Sequence, residues 1–157
     1  MKELNMNLRI KRITEDYPYQ LLLLADETIT AIHKYLLDSE VYVAINPDND
    51  TPIAICCLYA IDRDTIELKN VAVANEYQSK GVGSYLIDRA VEMAREKGYK
   101  EMIVGTGDCG FSQIRFYEKN GFVKYGVKEN FFIDNYDSPI HENGIMLKDM
   151  VMLKKAL

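Results

Sequence analysis

Long apolar runs are missing from this chain of 157 residues. Stretches such as Leu21–Ala25 (LLLLA) stay far below the roughly 20 residues that a membrane-spanning helix needs. No membrane partner is expected, and the acidic residues near the start, where a secretory leader would be apolar, argue for a cytoplasmic location. Positive charge is also short, with 19 lysines and arginines against 24 acidic residues and a net charge of −5. That balance disfavours nucleic-acid binding by bulk charge. Cysteine is scarce and odd in number: three in all, two of them adjacent at Cys56 and Cys57, which fits neither a disulfide framework nor a C-x-x-C metal knuckle. Only two histidines occur, His33 and His141, and neither has a partner at ligand spacing, so no metal site is expected. Repeats and low-complexity linkers are absent. What remains is an ordinary globular composition, 48% hydrophobic and 27% charged, at a length that suits a single domain spanning 1–157.

Along the chain, alternation from Met6 to Thr14 predicts a half-buried first strand. Pro18 opens one or two helices up to Leu37, with Asp26 and Thr28 as caps after a break. Val41–Ile45 and Pro52–Ile61 form a hairpin around NPDND, which lacks the central glycine and distal glutamate of a calcium loop. Thr65–Val73 is a further strand. From Val82 an amphipathic helix runs to Gly98, the position of a C-terminal glycine. A short strand at Glu101–Val104, a helix at Phe111–Lys119, a strand at Phe122–Phe132 and a last strand at Ile145–Leu153 complete a mixed α/β domain.

Two glycine-rich turns carry the chemistry. QSKGVGS, Gln78–Ser84, joins a strand to a helix, and glycines at 81 and 83 let backbone amides face outward at a helix N-terminus, where a phosphate is favoured. The same pair also suits a plain turn. It is not a P-loop, because Lys80 precedes the glycine and the Walker spacing is absent. GTGDCG, Gly105–Gly110, satisfies G-x-G-x-x-G, but too little chain follows Glu129 to complete a dinucleotide-binding fold.

ELKNVAVANEYQSKGVGSYLI resembles the acetyl-CoA-binding motif of the GNAT N-acetyltransferase superfamily, a V-A-V strand followed by Q/R-x-x-G-x-G/A. QIRFYEKNGF, Gln113–Phe122, is similar to the second signature of that family, a helix carrying a tyrosine and ending in G-F. The likeness is strong over residues 65–125 and continues outside them only in element order. It implies a mixed, mostly antiparallel central sheet with helices on both faces, and acetyl-CoA as co-substrate with no metal.

By that resemblance, the amides of Val71 and Val73 pair with the pantetheine arm and polarise the thioester carbonyl. Backbone amides of Ser79, Gly81, Gly83 and Ser84 hold the pyrophosphate within the loop that includes Val82, with Gln78 and Lys80 adding side chains. Glu67 is the candidate base, and Tyr117 the acid that protonates the departing sulfur. Many relatives carry Asn and, three residues later, Ala where this chain has Gly110 and Gln113; the Gln113 amide is the candidate substitute, and Asp108 a second pantetheine contact. Arg115 and Lys119 are placed to approach the adenosine phosphates, or simply to solubilise their helix.

For the acceptor, Asp134, Asp137, Glu142 and Asp149 with Tyr136, Phe131 and Phe132 offer carboxylates and flat faces to a cation, or simply form a solvated negative edge. FFIDNY followed by HENGI is similar to small bacterial members of uncertain substrate. The leading expectation is acetyl transfer to a primary amine of a small molecule by direct attack in a ternary complex, without a cysteine nucleophile. Acetylation of a protein N-terminus or lysine, and a non-catalytic acyl-CoA sensor, remain alternatives. Ile145, Leu147 and Val151 permit a homodimer through the late strands.

Overall fold

The computed structural model describes residues 7–157. Met6 and the acidic start that argued against a leader lie outside them. Seven strands form one sheet in the order β1-β2-β3-β4-β5-β9-β6. They are β1 (Arg9–Ile13), β2 (Glu40–Asn46), β3 (Thr51–Ala60), β4 (Thr65–Val73), β5 (Glu101–Gly107), β6 (Val123–Lys128) and β9 (Met150–Ala156), with a separate small hairpin of β7 (His141–Glu142) and β8 (Ile145–Met146). Every pairing in the large sheet is antiparallel except β4 with β5.

Helices cover both faces. On one face, α1 (Tyr19–Ala25), α2 (Ile29–His33) and the 3-10 turn Leu36–Asp38 pack Leu22, Ile32 and Leu36 against Val41, Val43 and Ile55. On the other, α3 (Val82–Glu96) and α4 (Phe111–Lys119) pack Leu86, Ala90 and Tyr117 against Ala54, Cys56 and Leu68. The expected cap at Thr28 is present: its Oγ1 accepts from the Ala31 amide at 3.0 Å. Leu86 is fully buried in the α3 layer. Leu86→Ala is expected to cost about 2–5 kcal/mol through lost transfer energy and the cavity left behind, read as a lower urea midpoint.

Two late expectations need correction. The strand drawn to Phe132 stops at Lys128, because Asn130 turns left-handed (φ 55°), donates its amide to Asp149 Oδ1 at 2.9 Å, and starts α5 (Phe131–Asn135). The strand drawn over Ile145–Leu153 breaks in two. The Asp108 carboxylate accepts from the amides of Lys148 and Asp149 at 3.4 and 3.3 Å, which bends the chain between β8 and β9. Asp108 therefore ties down the late segment.

Glu40 at the start of β2 holds Lys97 at the end of α3 and accepts from the Tyr42 hydroxyl. Burial, the largest single influence, would raise the Glu40 carboxyl, but the hydrogen bonds from Lys97 and Tyr42 and the charges of Lys97 and Arg12 together outweigh it and leave the carboxyl below its ordinary 4.5. A depressed carboxylate contributes stability above the unfolded-state pKa and loses it as pH falls through the folded one. Glu40→Gln is thus expected to cost about 0.5–1 kcal/mol at neutral pH for a partly exposed pair. The deficit should shrink as unfolding is followed below pH 4.5.

Candidate active site

The parallel pairing of β4 and β5 runs only from Thr65↔Glu101 to Leu68↔Val104. Beyond it, β4 keeps to β3 as far as Val73, while β5 keeps to β9 as far as Gly107. The two strands therefore part and leave a gap in the middle of the sheet. Ala74 donates its amide to the Ile53 carbonyl at 2.8 Å, and successive strand amides alternate in direction. The Val73 and Val71 amides accordingly point the other way, into the gap.

A β-bulge lies at Lys69, since Cys57 faces Asn70 and Leu58 faces Leu68. The extra residue reverses the pleat. Ile66 and Leu68 pack in the α3 layer, whereas Asn70 and Ala72 turn toward α1. Glu67 shares that second face, among Ala31, Lys34 and Tyr35.

A cleft of about 1000 Å³ passes through the gap. On the α3 side it is lined by Gln78, Ser79, Gly81, Val82, Gly83 and Ser84, together with Gln113, Phe116, Tyr117 and Lys119 of α4. Gly81 caps α3 with φ 85°, a left-handed turn that a branched residue resists. Gly83 lies against the Phe116 ring, and Val82 is buried in the core. Gln78 turns back on its own loop, donating to the Val73 carbonyl at 2.9 Å and to Asn75 Oδ1 at 3.1 Å. Lys80 stands off the lining, its ammonium 5.7 Å from the Tyr77 ring centre. Arg115 and Asp108 are likewise outside the lining.

Tyr117 packs edge-on between Phe116 and Phe122 and faces the cleft. Its hydroxyl has no hydrogen-bond partner among the described residues. Burial, then the neighbouring Cys56, pushes the phenol well above its ordinary pKa, so it holds its proton through neutral and mildly alkaline pH.

Across the gap, the other side of the cleft is lined by Asp26, Glu27, Phe132, Tyr136, His141 and Glu142. Asp26, read from sequence only as a cap, accepts from the hydroxyls of Tyr35 at 3.1 Å and Tyr136 at 2.7 Å. Asn70, 3% exposed, donates to Tyr35 Oη and to the Leu22 carbonyl, both at 3.0 Å. Desolvation, then Glu27 nearby, raises the Glu142 carboxyl, as expected where two carboxylates share a wall. Of the acidic tail singled out in the sequence, Glu142 reaches the cleft and Asp134, Asp137 and Asp149 do not.

Glu67, 4% exposed, does not line the cleft itself. It lines an adjoining chamber of about 260 Å³ and pairs with Lys69 Nζ at 3.2 Å. The two spaces share walls at Asp26, Leu68, Lys69, Gly105, Tyr136 and Met150.

GTGDCG finds a packing explanation. A Cβ on Gly105 would come within 2.3 Å of Met150 Sδ, and one on Gly107 within 2.6 Å of Leu147 Cδ2. These glycines let the late segment lie close over β5. Leu147, expected at a dimer face, is buried there, and β9 is an interior strand. Among the described residues no group of three or more His, Cys, Asp or Glu side chains stands ready for a metal ion.

The acetyltransferase (GNAT) family model matches residues 8–122. The chain is 36% identical over 153 residues to the uncharacterized N-acetyltransferase YvbK of Bacillus subtilis, covering 94% of this chain and 97% of that protein. It superposes with a TM-score of 0.92 on a GNAT family acetyltransferase from Elizabethkingia anophelis with acetyl-CoA bound, at 40% identity, covering 96% of this chain and 99% of that one. An IAA acetyltransferase from Bacillus cereus gives a TM-score of 0.89 at 36% identity, covering 96% and 100%. A likeness of this extent, over a sheet that opens where the sequence motif begins, makes the chain a member of the acetyltransferase (GNAT) family and an acetyl-CoA-dependent N-acetyltransferase.

Proposed function

We propose that the acceptor is the primary amine of a small molecule and that it attacks directly, in a ternary complex. The observation that carries this reading is the cleft running through the sheet, so that donor and acceptor enter from opposite faces and meet at the free amides of β4. The residues fit the donor. Amides aimed into the gap suit a pantetheine arm, and the left-handed Gly81 at the head of a 15-residue helix suits a diphosphate. When bound, acetyl-CoA supplies an acetyl thioester that an amine can attack.

In this reading the Val71 and Val73 amides stabilise the charge that develops on the carbonyl oxygen. The amides of Ser79, Gly81, Gly83 and Ser84 hold the phosphates, and Gln78 fixes the loop by its bond to the Val73 carbonyl. Glu27 and Glu142 attract an ammonium to the acceptor side. Glu67 receives the proton it must lose, directly or through water, and Tyr117 protonates the departing sulfur. No thiol takes part: Cys56, Cys57 and Cys109 are buried, and burial pushes all three up, Cys57 to about 12.

Glu67→Gln is expected to lower kcat about 10²-fold at pH 7, with partial recovery at alkaline pH, where the amine is already deprotonated. The test of the reading is coenzyme A release with a panel of small amines beside peptides bearing a free N-terminus or lysine. Faster turnover of peptides would make this a protein acetyltransferase. Tight acetyl-CoA binding with no turnover of any amine would make it a sensor.

The homodimer belongs to the same proposal. The sheet ends at β1 and β6, and on β6 Val123, Tyr125 and Val127 are 65%, 47% and 56% exposed; a second copy pairing there would cover them. Sedimentation at monomer mass would remove it.

A further inference from the structure

Charge around the smaller chamber is divided by depth. Glu67 lies at the buried inner end, next to the gap, already engaged by Lys69 at 3.2 Å. Lys34 and Lys128 also line the chamber, and both are exposed, which places them at its outer rim. Neither pairs with a carboxylate among the described residues, although the chain as a whole is acidic. Asp26 adds negative charge at the other end, on the wall shared with the cleft, where its carboxylate accepts from Tyr35 and Tyr136 at 3.1 and 2.7 Å. Between the two ends the walls are aromatic and apolar, supplied by Tyr59, Phe131, Leu68 and Met150. Lys128 Nζ sits 5.8 Å from the Phe131 ring centre, at the junction of the apolar wall and the rim.

A space with a carboxylate and the reaction centre at one end, apolar walls, and two free ammonium groups at the other matches an elongated, bipolar molecule. We infer that the acceptor is an amino carboxylate: its amine faces the gap, a short apolar or ring body fills the chamber, and its carboxylate is received by Lys34 and Lys128. This rests on the small-molecule reading above and narrows it. A volume of about 260 Å³ admits a body of one ring or a short alkyl chain.

The test compares each amino carboxylate with its own methyl ester, using 4-(aminomethyl)benzoate and 6-aminohexanoate. Turnover is read as coenzyme A release, and binding by calorimetry on the protein loaded with coenzyme A. The carboxylates are expected to show a KM or Kd about 5- to 30-fold below that of the esters, the sum of two partly solvated ion pairs. In the Lys34→Ala, Lys128→Ala double variant the advantage should fall to within about twofold, with an unchanged melting temperature as the control for folding. The inference is overturned if the esters match the carboxylates on the native protein, or if the advantage survives in the double variant. Preferential carboxylate binding without any turnover would uphold the inference and sink the catalytic reading. Turnover without carboxylate preference would do the reverse.

Discussion

Replacing Tyr117 by phenylalanine is expected to lower kcat by about 10²- to 10³-fold while acetyl-CoA affinity stays within about twofold. The ring sits between Phe116 and Phe122, and phenylalanine keeps both edge-on contacts. Only the hydroxyl is lost, and it has no partner in the fold among the described residues, so stability should hardly change. Burial keeps this phenol protonated, which suits a donor to a departing thiolate. The defect should therefore lie in kcat, and a donor whose thiol leaves more readily should recover part of the rate. A variant with native kcat would assign the protonation to water or another group.

Gly81→Val is expected to weaken acetyl-CoA binding by at least about tenfold. At φ 85° and ψ 4° a β-branched residue is strained by about 1–3 kcal/mol, so the loop relaxes and the amides leave their common direction. General unfolding would also reduce binding, so acetyl-pantetheine, which has no diphosphate, serves as the discriminating donor. The variant should lose much of its activity with acetyl-CoA yet use acetyl-pantetheine almost as well as the native protein does. Equal losses with both donors would mean that the turn does not act through phosphate.

Much of this architecture is local and so was legible in the residues. The spacing of Leu86, Ala90 and Ala94 marks α3, β-rich runs mark β2 to β4, and the glycine pair marks the head of the helix. Features that depend on distant partners were not legible. Asn130 takes its left-handed turn beside Asp149, and the late strand breaks where Asp108 captures two amides. The acceptor wall is the clearest case: Asp26 and Tyr136 are 110 positions apart, and only the folded chain joins them. The late residues of that wall, Phe132, Tyr136 and Glu142, stood out as flat faces and a carboxylate, but its early half showed only as a polar residue ending the leucine run of α1. The bulge at Lys69 had no trace, because alternation looks the same on either side of it.

That bulge gives β4 one residue to spare. Removal of the single codon for Lys69 would let the alternation run unbroken, keeping Ile66 and Leu68 in the layer beneath Leu86 and Glu67 and Asn70 on the α1 face, while straightening the strand and depriving Glu67 of its ion-pair partner. Such a deletion would spare the two faces of the strand and change instead its local bend and the charge set against a buried acid.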